Sequence, residues 1–99
     1  MSTYVFNSFI IANYNRIEVT KTMYIPTLSA QKVGETISYY RKKKGMSQEV
    51  LSGLADIGRS HLSAIERGER KPTLETFYRI CVAMDEKMST VVKRLEESL

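Results

Sequence analysis

Two short stretches of helical periodicity, residues 47–55 and 59–67, are separated only by Asp56-Ile57-Gly58, and this spacing constrains the chain more than any other feature. The first stretch carries Val50, Leu51, Leu54 and Ala55 behind a cap at Ser47; the second carries Leu62 and Ile65 and stops at Gly68. A three-residue connection is too short to bring one helix back antiparallel to the other, so the pair is predicted to cross steeply.

Helices are also expected on either side of this pair. Upstream, Ser29 is a fair N-cap, and Val33, Ile37 and Tyr40 recur at helical spacing until Gly45 ends the run. Gly34 inside that helix costs about 1 kcal/mol relative to alanine, which predicts fraying of its first turns. Downstream, Glu69-Arg70-Lys71-Pro72 reads as a turn and Thr73 as the cap of a fourth helix, with Leu74, Phe77, Ile80, Cys81 and Met84 as its apolar stripe. A fifth helix, from about Ser89, places Val91, Val92, Leu95 and Leu99 on one side. Residues 29–99 are therefore expected to form one all-α domain of five short helices, and 99 residues leave room for little else.

Residues 1–28 read differently. Up to Pro26 the chain is rich in Tyr, Val, Ile, Phe and Thr, which favour strands. Ile17, Val19, Met23 and Ile25 alternate onto one face, with Lys21 the exception, and Asn13-Tyr14-Asn15 can turn into a first strand around Tyr4–Ile11. A lone hairpin is marginal in water, so such an arm would have to dock. A poorly structured extension, or an upstream start with Met23 the true initiator, are the other readings, and all stay open.

Composition excludes several classes. A single cysteine, Cys81, forbids an internal disulfide and fits a reducing cytoplasm. With one histidine, His61, and no CxxC or HxxxH spacing, no structural metal site is expected. No apolar run approaches the roughly 20 residues of a membrane helix. The start, MSTYVFNSFIIA, lacks the basic region and the cleavage site of a signal peptide. Ser60 and His61 are neighbours in sequence but diverge by about 100° on a helix, so they make no nucleophile–base pair. Cys81 and His61 read as a core residue and a flank residue, and no enzyme is expected.

Charge gives the positive indication. The net charge is +4, and the surplus lies in residues 41–71, where eight Lys or Arg face four acids. On a helical wheel Arg59, Ser60, Ser63, Ala64 and Arg67 spread opposite Leu62 and Ile65. That small, polar face with an arginine at each end suits a major groove, which admits one helix and rewards arginine paired with guanine. A solvated face has the same pattern. The run Arg41-Lys42-Lys43-Lys44 can likewise serve phosphates or simply the helix dipole. Gln48 lies in a first helical turn, where side chains reach phosphates.

The residues RKKKGMSQEVLSGLADIGRSHLSAIERGERKPTLETFYRI carry a longer signal. Residues 33–84 resemble the Cro/repressor-type, or Xre-like, helix-turn-helix family, and look most like the small controller proteins of restriction–modification systems. The resemblance implies a five-helix lambda-repressor-like DNA-binding domain. By matched position it implies that Gln48 holds a DNA phosphate and that Arg59, Ser60 and Ser63 face base edges or adjacent phosphates. It also implies that Arg70 and Lys71, in the following loop, reach the DNA backbone and sometimes a base. The helical wheel adds Arg67 to the reading face, and Lys42 and Lys43, at the solvated end of the first helix, are expected to act on the DNA by charge alone. Arg41 and Glu66 match an ion pair tying the first helix to the third. Two positions depart from the pattern: Ser52 stands where alanine is usual, and Asp56 where the turn often has glycine, which implies a strained or locally capped turn.

The function expected is a sequence-specific DNA-binding transcriptional regulator with no cofactor and no metal. It would act as a homodimer, joined through the fifth helix, on a pseudo-palindromic operator. The alternative is the antitoxin of a toxin–antitoxin pair that also represses its own operon, with the arm or the fifth helix holding the toxin and an apolar patch left uncovered without it.

Overall fold

The structure, a computed structural model, describes residues 25–99; residues 1–24, and with them most of the expected arm, lie outside the described residues. Residues 25–29 carry no regular secondary structure and lead to five helices: α1 (Ala30–Lys43), α2 (Gln48–Ala55), α3 (Arg59–Glu66), α4 (Leu74–Ala83) and α5 (Met88–Ser98). No strand occurs among the described residues.

Local chemistry sets the helix ends. Ser29, Ser47 and Thr73 each accept a hydrogen bond from an amide of the first turn, from Lys32, Val50 and Thr76 respectively. Asp56 ends α2 in the left-handed conformation, with φ 55°, and Ile57 N–H then donates to the Ser52 carbonyl at 3.0 Å. The turn is thus locally capped where a glycine would have been easier. Ser52 is buried but satisfied, its hydroxyl donating to the Glu49 carbonyl at 3.1 Å.

The helices pack around one core. α1 lies against α3 and α5, α2 against α3 and α4, and α4 against α5. Ile37, Leu51, Leu62, Ile65, Ile80, Met84 and Val91 are fully buried between them. Cys81 is part of this core, where burial pushes its thiol up to about 11, so it is protonated and unreactive.

Four expectations change. Leu74 is 74% exposed rather than part of the α4 stripe, because it occupies the first turn beyond the reach of the core. Val50 and Leu54 are exposed as well; α2 buries only Leu51, Ser52 and Ala55 between its two neighbours. The supposed outer face of α5 divides, with Val91 and Leu95 in the core of the same chain and Val92 and Leu99 outside. Finally, α1 runs unbroken from its Ser29 cap, and Gly34 is buried rather than a point of fraying.

Gly34 is where α1 and α3 touch. A Cβ at this position would lie 2.3 Å from the Ile65 carbonyl oxygen and 2.5 Å from that of Glu66, both backbone atoms. Helix propensity alone predicts that Gly34→Ala stabilises the fold by about 1 kcal/mol. We expect the opposite sign, a loss of about 2 kcal/mol or more, because the clash can be relieved only by moving α3. Denaturant melts check this, and an equal or higher midpoint for the variant would show that the helices do not meet so closely.

Candidate nucleic-acid interface

The sequence makes α3 two-faced. Leu62 and Ile65 are fully buried, while Arg59, Ser60, His61 and Arg67 are exposed and Ser63 and Ala64 half-buried. His61 is therefore a flank residue. The N-cap is Gly58, which supplies no side-chain bond, so the first-turn amides are left to solvent or to an anion.

The end of α3 is clamped to α1. Arg41 Nε donates to Glu66 Oε2 at 2.7 Å and its Nη2 to Glu66 Oε1 at 2.9 Å, a bidentate pair with side chains 12% and 6% exposed. Nη1 of the same guanidinium donates to the Met46 carbonyl at 2.8 Å, and Gln48 Nε2 donates to Glu66 Oε1 at 3.1 Å. Hydrogen bonding to Glu66 raises the Arg41 pKa further. The expected Arg41–Glu66 contact is thus present, and Gln48 is part of it. Gln48 also stays half-buried at the start of α2, beside the end of α3.

The basic run 41–44 does not form a single patch. Lys43 Nζ lies 6.0 Å and 5.9 Å from the ring centres of Tyr39 and Tyr40, while Arg94 from α5 stacks 3.4 Å from Tyr39. Lys44 pairs with Glu86 at 3.3 Å. Only Lys42 of the four has neither an ion pair nor an aromatic partner among the described residues.

Beyond α3, Gly68 adopts φ +76°, and a Cβ there would sit 2.9 Å from Gln31 Cα, so the chain turns tightly against the start of α1. Arg70 and Lys71 follow, both exposed. The same turn brings Glu69 back onto Arg67: Arg67 Nε donates to Glu69 Oε2, and its Nη1 to Ser63 Oγ. The Arg67 pKa is raised and that of Glu69 lowered, in each case first by the hydrogen bond between them. The sequence reading missed Glu69; its signal was an acid two residues beyond Arg67 across a turn glycine. Among the described residues no three His, Cys, Asp or Glu side chains are grouped to hold a metal.

Known proteins share this fold. Residues 37–91 match the Helix-turn-helix family. The chain is 35% identical over 52 residues to the uncharacterized HTH-type transcriptional regulator y4dJ of Sinorhizobium fredii, covering 52% of this chain and 68% of that protein. Its fold is similar to the restriction-modification controller protein C.AhdI from Aeromonas hydrophila, at 31% identity and a TM-score of 0.61, over 63% of this chain and 94% of that one. It is also similar to the controller protein C.Esp1396I, solved as a tetramer with its natural 35 base-pair operator, at 26% identity and a TM-score of 0.67, over 73% and 95% of the two chains. The chain belongs to the helix-turn-helix family, in its Cro/repressor-type (Xre-like) form, a class of DNA-binding transcriptional regulators.

The clamp yields a prediction. Glu66→Gln removes the buried carboxylate and strands the Arg41 charge, which should cost about 3 kcal/mol or more. A solvated pair would contribute about 0–1 kcal/mol. An unchanged denaturation midpoint for Glu66→Gln would show that the guanidinium does not depend on its partner.

Proposed function

We propose that the protein is a sequence-specific DNA-binding regulator that acts as a homodimer on a pseudo-palindromic operator, in the manner of a restriction–modification controller. It does no chemistry of its own, and the cytoplasm is its proposed location. The observation that carries this reading is α3 itself: a helix buried on one side, clamped at its end through Glu66, and exposing Arg59, Ser60 and Arg67 on the other. Arg59 opens the helix, and its planar fork matches O6 and N7 of guanine. Ser60, Ser63 and Arg67 are assigned to base edges or adjacent phosphates. Gln48, Arg70, Lys71 and Lys42 are assigned to the backbone, with Lys43 the weaker member because it is held over two tyrosine rings.

The homodimer reading rests on apolar surface that the described residues leave uncovered. Val92 and Leu99, with Leu28 and Leu74, border a groove of about 440 Å³ beside α4 and α5, and Phe77 and Leu95 line its floor. A second copy seated there by two-fold symmetry would present two α3 helices to one face of the duplex. The second reading, an antitoxin, draws on the same groove with a toxin as its occupant. Among the described residues no helix is long and apolar enough to cross a membrane.

Arg59→Ala separates base reading from charge. It should lose about 1–3 kcal/mol on the preferred duplex and relax the preference at one base position per half-site. Titrations on preferred and scrambled duplexes at two salt concentrations decide the matter. Equal losses on both would mean that Arg59 contributes only charge and that the reading face lies elsewhere.

A further inference from the structure

Arg67 ends α3 beside the face assigned to base reading, yet its charge is already spoken for. Its Nε donates to the Glu69 carboxylate and one Nη1 hydrogen to Ser63. The two charged side chains remain 55% and 58% exposed, so hydrogen-bond geometry rather than burial holds them together. A guanidinium has five N–H donors. Those on Nη2, and the second on Nη1, have no partner among the described residues. Glu69 is also the one acid in the run Arg67-Gly68-Glu69-Arg70-Lys71, and the nearby Glu66 is committed to Arg41.

We propose that Glu69 is a specificity-determining positioning residue: it cancels the attraction of Arg67 for the DNA backbone while leaving the outer edge of the guanidinium for a base. The inference rests on the DNA-binding reading above. Its physical basis is that the two kinds of contact need different things from an arginine. Backbone binding draws on net charge, through phosphates neutralised and counterions released, and a cation paired to a carboxylate adds almost nothing to it. A bidentate bond to guanine needs two N–H groups held in the right plane, which the Glu69 and Ser63 bonds supply in advance. Because Ser63 is engaged by the same guanidinium, the device also fixes a second residue of the reading face.

The test uses the duplex that the wild-type protein selects from a random pool, together with a scrambled duplex, each at two salt concentrations. Glu69→Ala should bind the scrambled duplex severalfold more tightly than wild type, with a salt dependence steeper by about one ion. Its ratio of selected to scrambled binding should fall. Arg67→Ala leaves the Glu69 carboxylate uncompensated, so it should weaken binding to the scrambled duplex severalfold and binding to the selected duplex by a further fivefold or more. The double variant restores the net charge, so it should match wild type on scrambled DNA and lose about fivefold or more on selected DNA, the same ratio of selected to scrambled binding as Arg67→Ala. These side chains lie on the surface, so thermal melts of all three variants should coincide with wild type. If Glu69→Ala changes both duplexes by the same factor, or neither, the positioning role is wrong while the DNA reading stands. If wild type selects no duplex at all, the DNA reading itself falls and this inference with it.

Discussion

The bidentate bonds from Arg41 to Glu66, made where Gly34 lets α1 and α3 meet backbone to backbone, decide where the proposed reading helix stands. Helix α3 has only eight residues and buries just Leu62 and Ile65, too little apolar surface to fix its rotation and register unaided. The clamp adds direction to that burial. Each nitrogen of the Arg41 guanidinium has an acceptor, and Gln48 gives Glu66 a further donor, so both buried charges are answered. A buried ion pair of this kind stabilises little compared with an apolar replacement, since desolvation offsets most of the attraction. Its contribution here is register: α3 can slide or roll only by breaking charged hydrogen bonds.

Much of this was legible in the sequence because helical periodicity reports burial directly. Val33, Ile37 and Tyr40, Phe77 and Ile80, and Val91 and Leu95 all lie in the core where their spacing put them. The pattern misled where a helix was too short or too peripheral to bury its whole stripe, at Val50 and Leu54 in α2 and at Leu74 in the first turn of α4. Gly34 misled for another reason. Propensity describes an isolated helix, whereas this glycine serves the helix that crosses it, and no local pattern carries that information.

The charges were legible as a block but not as individuals. Residues 41–71 do hold the basic surplus, yet Arg41 is internal, Lys43 lies over tyrosines and Lys44 is paired with Glu86. Within that block, and among the described residues, what is left for a polyanion is narrower than the composition suggests: Lys42, Arg59, Arg70 and Lys71, with Arg67 held by Glu69. On the DNA-binding reading this economy favours discrimination over general adhesion, because fewer free cations means less binding that ignores sequence. Among the described residues the apolar groove by α4 and α5 is also open, and symmetry would turn it into a spacing rule for the DNA.

Selection of bound sequences from a random duplex pool tests the central claim, that a clamped α3 reads DNA in a two-fold arrangement. The expected result is enrichment of two inverted half-sites whose centres lie about 34–36 Å apart, one helical turn, on one face of the duplex. Recovery of unenriched sequences, or of a single half-site with no inverted partner at a fixed spacing, would contradict it.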